Sequence, residues 1–186
     1  MNRPRGRPAQ GTGVARDHIL TEALALLDES GGQGLTMRAL ATRLGVTPMS
    51  LYHHVENHAG LLRALSDRVY AEVLEGAPGL AAPRADLQAI LTRYHGAVGR
   101  HPQLTLAIFA TPEAFAGVTR QITDRLGLLL AQITAEPDLW RDVLVDHAHG
   151  SGLALASAHG DPKRAQALQA DYRQALDRLL DRLTAP

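Results

Sequence analysis

Apolar residues recur at helical rather than strand spacing along most of the chain, and the intervals between them carry helix-stopping and helix-starting residues. Ile19, Ala23, Leu26 and Leu27 stand at i, i+4, i+7 and i+8, which predicts a helix from about Val14 to Glu29, ended by Ser30-Gly31-Gly32. Met37, Leu40, Ala41 and Leu44 repeat the stripe in a second helix. Thr36 is placed to cap it, and Leu35 with Leu40 makes a hydrophobic staple that sets the angle at which the chain arrives. Gly45 falls where a helix closes in a left-handed residue, Val46 plugs the turn, and Thr47-Pro48 restarts a helix at once. In that third helix Leu51 and Val55 point inward. Asn57 is placed to cap a fourth helix, whose buried stripe is Leu62, Leu65 and Val69, with Tyr70 and Val73 carrying it onward.

Leu74 to Asp86, LEGAPGLAAPRAD, is rich in Gly, Ala and Pro and marks a boundary. Pro83 near its end, and Pro102, Pro112, Pro137 and Pro162 beyond it, each precede an apolar periodic segment, as expected for proline in a first helical turn. Five further helices follow, with no alternating strand pattern. The clearest is capped by Asp161 and carries Leu168, Tyr172, Ala175, Leu176, Leu179 and Leu183 on one stripe. In the helix before it, about Pro137 to Ser157, Ala148, Gly152 and Ala156 stand at i, i+4 and i+8, with Gly150 and Ser151 beside them. Each interior glycine costs about 1 kcal/mol against alanine, so a close helix contact must offset it, either between two subunits or inside one. The prediction is an all-α chain. An arm, 1–15, leads into a three-helix helix-turn-helix domain, 16–75, and then a C-terminal helical bundle, 76–186.

The outer and flanking faces of the third helix carry Pro48, Met49, Ser50, Tyr52, His53 and His54. A solvated helix would normally show long charged side chains, whereas this small, polar and aromatic set suits the confined major groove and its phosphate rims. A bare helix-turn-helix pattern is degenerate and also fits a short surface helix. Net charge is zero over 186 residues, which argues against a purely electrostatic nucleic-acid binder. The distribution changes that picture: Arg3, Arg5, Arg7 and Arg16 stand near the start with no acid among them. The chain has no cysteine, so disulfides and thiolate metal sites are excluded, and no apolar run of transmembrane or signal-peptide length, which places it in the cytoplasm.

Ile19 to Leu65 resembles the N-terminal domain of the TetR family of bacterial transcriptional repressors. The resemblance rests on a first amphipathic helix ending in Gly-Gly, then Leu-Thr-Met-Arg-x-Leu-Ala, Leu-Gly-Val-Thr and Leu-Tyr-x-His-Val, and a fourth helix opening at Asn57. It implies a homodimer that binds a palindromic operator and lets go when a small molecule enters the C-terminal domain. Position by position, it implies that Arg38 touches phosphate or a base edge, that Thr47, Pro48, Met49 and Ser50 face bases, and that Tyr52 and His54 hold phosphates. His58 departs from the family pattern, which usually has a basic residue, often Lys, gripping phosphate there. An imidazole in that role predicts operator affinity that rises as pH falls. The resemblance also implies a four-helix dimer interface built from the last two helices of each subunit.

Pro4-Arg5-Gly6-Arg7-Pro8 resembles an AT-hook, whose flat Arg-Gly-Arg backbone lies in a narrow A·T-rich minor groove; an ordinary solvated arginine tail is the plainer reading. Arg16, near the start of the first helix, could touch a phosphate or stay solvated. In the bundle, His95, His101, Phe109, Trp140 and His147 are candidates for a small-molecule cavity, because the only tryptophan and one of two phenylalanines are among them. Core filling explains each singly just as well. His147 and His149, two apart, point roughly 200° apart on a helix and cannot share one metal ion locally. No His-Glu-x-x-His, Walker A or Gly-x-Gly-x-x-Gly occurs, and His149-Gly150-Ser151-Gly152 lacks the spacing of a nucleophile elbow. The expectation is a regulator with no cofactor or metal and no enzymatic role. The alternatives are an A·T-preferring architectural DNA-binding protein and a His-based metalloenzyme.

Overall fold

The computed structural model describes residues 15–32, 34–76, 82–158 and 160–183. The described residues form nine α-helices: α1 (Arg16–Glu29), α2 (Met37–Leu44), α3 (Pro48–Tyr52), α4 (His58–Tyr70), α5 (Pro83–Arg100), α6 (Pro102–Phe109), α7 (Val118–Leu130), α8 (Pro137–Ala156) and α9 (Pro162–Leu183). Two short 3-10 turns, Ala71–Val73 and Pro112–Ala114, complete them, and no strand occurs among the described residues. None of these helices is long and apolar enough to cross a membrane.

The head follows from its caps. Thr36 accepts from the Ala39 amide, Thr47 from the Ser50 amide and Asn57 from the Gly60 amide, so α2, α3 and α4 each start on a side-chain acceptor. Gly45 closes α2 at φ +67°, a left-handed conformation, and the Val46 amide reaches back to the Ala41 carbonyl. Ile19, Ala23, Leu27, Leu40, Leu51, Val55, Leu61, Leu62 and Leu65 fill the core between α1 and α4. Leu26 and Leu44 only pack against its edge. Arg43 of α2 bonds both carboxylate oxygens of Glu29 and the Glu22 carboxylate on α1, which ties the two helices from outside. That pairing raises the Arg43 guanidinium and lowers the Glu29 carboxyl from their ordinary values.

The body packs α5 against α8 as its most extensive pairing, with α7 and α9 alongside. Gly152 makes that approach possible. A Cβ there would stand 2.7 Å from Val98 Cγ1 and 3.1 Å from the His95 carbonyl oxygen. Ala148 on the same stripe is fully buried. At Ala148 and Gly152 the small-residue stripe of α8 is therefore packed inside one chain. The opposite face remains open, with Leu139, Val143 and Gly150 exposed along it.

Two boundaries differ from the sequence expectation. Asp86, assigned to the linker, is buried in the first turn of α5, with Arg125 of α7 at 4.0 Å. Pro112 starts only a 3-10 turn, and α7 begins six residues later at Val118, where Gly117 at φ +60° and the Asp67 carboxylate initiate the helix. A carboxylate donated by α4 from the head thus replaces the local proline signal.

Candidate nucleic-acid interface and ligand cavity

Leu51 and Val55 anchor α3 by burial, which leaves Thr47, Pro48, Met49, Ser50, Tyr52 and His53 exposed on one outward face. Met49 is 68% and Tyr52 45% exposed, large for apolar-rich side chains, and no other described element covers them. Thr47 and Ser50 bond one another through their hydroxyls at 3.0 Å while capping the helix, so their positions are set before any contact is made. Arg38 is exposed on α2. α3 is only five residues long, so His53 is its C-cap and His54 belongs to the following turn, half-buried in a shallow cleft with Arg16, Glu56 and Arg63. Arg16 itself is exposed. Arg3, Arg5 and Arg7 lie outside the described residues.

His58 is placed differently from the expectation of a free phosphate grip. Its Nε2 lies 3.0 Å from the Leu35 carbonyl oxygen, which can only accept, so Nε2 carries the proton. The imidazole's first task is to pin the start of α2 to α4.

A second site lies in the body, where α4, α6, α7 and α8 converge around a cavity of about 60 Å³. Tyr70 from the end of α4 and Tyr94 from α5 form its inner wall, with ring centroids 5.4 Å apart. The Tyr70 hydroxyl bonds the Thr105 hydroxyl of α6 at 2.8 Å, and the Tyr94 hydroxyl bonds His149 Nε2 of α8 at 2.6 Å. Thr119, Ile122 and Thr123 of α7 and Val145 of α8 close the sides. Phe109 and Phe115 flank it while remaining about half exposed, and Phe109 stands edge-on to His149 at 4.8 Å. Burial pushes the Tyr70 phenol up to about 12, raises Tyr94 further and lowers His149, so all three are neutral near pH 7.

Of the five residues expected to line such a cavity, Phe109 alone does. His95 lies behind it, stacked on Tyr172 at 3.8 Å and bonded to Ser151 at 3.1 Å. His147 stacks on the other side of that cluster, 5.1 Å from Tyr172, while His149 two residues on faces the cavity. The roughly 200° between them separates the two rings, as the spacing requires. His101 joins α5 to α6 and reaches Asp28 of α1 at 3.2 Å, a bridge between head and body. Trp140 packs half-buried at the start of α8. The tyrosines carried the missed signal: in a chain with four, Tyr70 continues the α4 stripe past its last head contact and Tyr94 falls on the α5 stripe.

Residues 19–65 match the family described as bacterial regulatory proteins, tetR family. An HTH-type transcriptional regulator of Mycobacterium tuberculosis is 35% identical over 109 residues, 52% of this chain and 50% of that protein. The tetracycline repressor protein class D of Escherichia coli is 45% identical over 56 residues, 30% of this chain and 26% of its own. The chain thus spans half or less of the length of these relatives. Among solved structures, Mycobacterium smegmatis BioQ superposes with a TM-score of 0.75 at 25% identity, covering 92% of this chain and 98% of that one. BioQ with its double-stranded DNA operator gives 0.71 at 26% identity, over 93% and 99%. Residues 19–65 thus carry the helix-turn-helix domain of the tetR family of bacterial regulatory proteins, and the described residues share the all-helical fold of BioQ.

Proposed function

We propose that this protein is a ligand-responsive transcriptional repressor that binds a palindromic operator as a homodimer and leaves it when a small molecule occupies the body cavity. The observation that carries this reading is the course of α4. It is capped by Asn57 immediately after the outward-facing α3, and thirteen residues later it ends at Tyr70 in the cavity wall. A ligand that displaces Tyr70 moves the same rigid element on which the head is packed. Half-sites one helical turn apart tolerate little change in the separation of two reading helices, so a small tilt costs much affinity.

Three further facts support it. A structure of BioQ contains that protein's DNA operator, and the BioQ fold matches this chain over nearly its full length. Relatives of the N-terminal domain include proteins named as repressors. The open face of α8, with Leu139 56% and Val143 39% exposed at i and i+4, offers the apolar surface a second subunit would cover.

The test is selection of fragments of the source genome on the purified protein, with Tyr52→Ala as comparison at two salt concentrations. The expected result is one palindrome, weakened by salt and lost in the variant. Recovery of A·T-rich DNA without a palindrome, unchanged by the substitution, would overturn the reading.

A further inference from the structure

We propose that the cavity between α4, α6, α7 and α8 takes an uncharged, flat aromatic molecule bearing a phenolic or carbonyl oxygen, with the ring between Phe109 and Phe115 and the oxygen at the Tyr70–Thr105 hydroxyl pair. This deepens the proposed function by naming the ligand class, and rests on that reading for its biological meaning only.

The lining decides the charge. No Asp, Glu, Lys or Arg is among the residues that form the cavity. An anion would enter without a cation to meet it and a cation without a carboxylate, and each would lose its hydration uncompensated. Tyr94 and His149 satisfy one another, and burial keeps both neutral. The shape decides the ring. Four aromatic side chains and one imidazole stand around a narrow space, and edge-on and offset contacts of such rings favour a planar aromatic guest.

Hydrogen-bond counting decides the oxygen. Tyr70 and Thr105 are 1% and 3% exposed, the most enclosed polar groups of the wall, whereas Phe109 and Phe115 are 56% and 47% exposed at its mouth. Two hydroxyls that bond one another use one proton of their two, so the pair keeps one proton to donate and lone pairs to accept. Thr119 and Thr123 give their protons to backbone carbonyls at Ala116 and Thr119, leaving their oxygens as acceptors. The wall therefore offers both a donor and acceptors without charge, which matches a phenol or a carbonyl. At about 60 Å³ the space as it stands is smaller than a single benzene ring, so a guest enters only as the half-exposed phenylalanines at its mouth turn outward.

Calorimetry on the full chain without DNA tests this, with 2-naphthol, naphthalene, naphthalene-2-sulfonate and trimethyl-2-naphthylammonium as probes. We expect 2-naphthol to saturate at one per chain and to bind about tenfold or more tighter than either charged analogue. The double variant Tyr70→Phe/Thr105→Val, which removes both hydroxyls and so orphans neither, should weaken 2-naphthol about tenfold and leave naphthalene unchanged. Phe109→Ala, at a half-exposed position of the cavity mouth, should weaken both neutral probes. A charged analogue that binds as tightly as 2-naphthol, absence of saturable 2-naphthol binding, or variants that bind like the parent would each overturn the assignment. Because no DNA is present, failure of operator selection alongside the expected probe pattern would remove the regulator reading and leave the ligand class standing, and the converse pair of results would do the reverse.

Discussion

Gly152 and Gly150 stand two residues apart on α8 and have opposite roles. A Cβ at 152 meets Val98 and a backbone oxygen, whereas one at 150 meets nothing within 4 Å. Gly152→Ala is expected to destabilise by about 1–3 kcal/mol, because the His95 carbonyl cannot yield as a flexible side chain would. Gly150→Ala is expected to leave the subunit fold as stable or stabilise it by up to about 1 kcal/mol through helix propensity. Urea unfolding midpoints of the two variants measure this directly. His95 supplies a second residue-scale prediction. Burial, aided by the nearby His147 and Arg173 charges and opposed by the Ser151 bond, holds its imidazole down to about 4 against an ordinary 6.5. The unfolded chain takes up that proton first as pH falls, so stability present above 6.5 is lost progressively down to about 4. The contribution is up to about 3 kcal/mol at one buried site. His95→Phe keeps the stack on Tyr172 and should flatten thermal stability between pH 7 and 4.5.

At the scale of elements, α4 is held at both ends and along its length by groups from other helices. Arg68 reaches the Asp17 carbonyl and Thr21 on α1, and Asp67 accepts the Val118 amide at 2.8 Å and so caps α7 from outside. Arg93 of α5 bonds the Val73 carbonyl at the turn that follows α4, and Arg100 pairs with Glu72 there. The Asp67 contact matters most for coupling, since α7 carries Thr119, Ile122 and Thr123 into the cavity wall. Asp67→Ala should cost about 1 kcal/mol of stability, the usual worth of an N-cap. It should also leave 2-naphthol binding in place while reducing the difference that DNA makes to it, read by calorimetry with and without the selected operator. Equal coupling in the parent and the variant would mean that α7 does not carry the signal.

For the whole molecule, the two proposed sites are linked by one equilibrium. If the cavity ligand weakens operator binding by some factor, operator must weaken ligand binding by the same factor. Measuring both affinities in both orders gives this factor twice, and a factor of one would mean that release from DNA is not the ligand's direct effect. Assembly is checked separately. Leu139→Glu with Val143→Glu places two charges on the open face of α8, far from the buried Ala148 and Gly152, and should convert a dimer to monomers in sedimentation without loss of helix content.

The head was legible in the sequence because local chemistry decides it. Thr36, Thr47 and Asn57 cap helices within three residues of themselves, and Gly45 closes a helix by its own backbone freedom. The family resemblance of residues 19–65 follows from that density of short-range rules. Four of the five body helices were legible for the same reason, from proline at their starts, and α7 was not. The remainder depended on partners distant in sequence. Asp67 starts α7 from 51 residues away, His58 turns to the Leu35 carbonyl 23 residues back, and Tyr70 meets Thr105 across 35. Periodicity shows that a residue faces inward but not which neighbour it meets there. His95 and His147 were therefore indistinguishable in sequence from His149, and only the packing of α5 on α8 and α9 sent two of them to Tyr172 and one to the cavity. The chain's own order of residues determined the helices and their caps, and the tertiary structure decided which side chains share a space, because that choice is made between helices rather than within them.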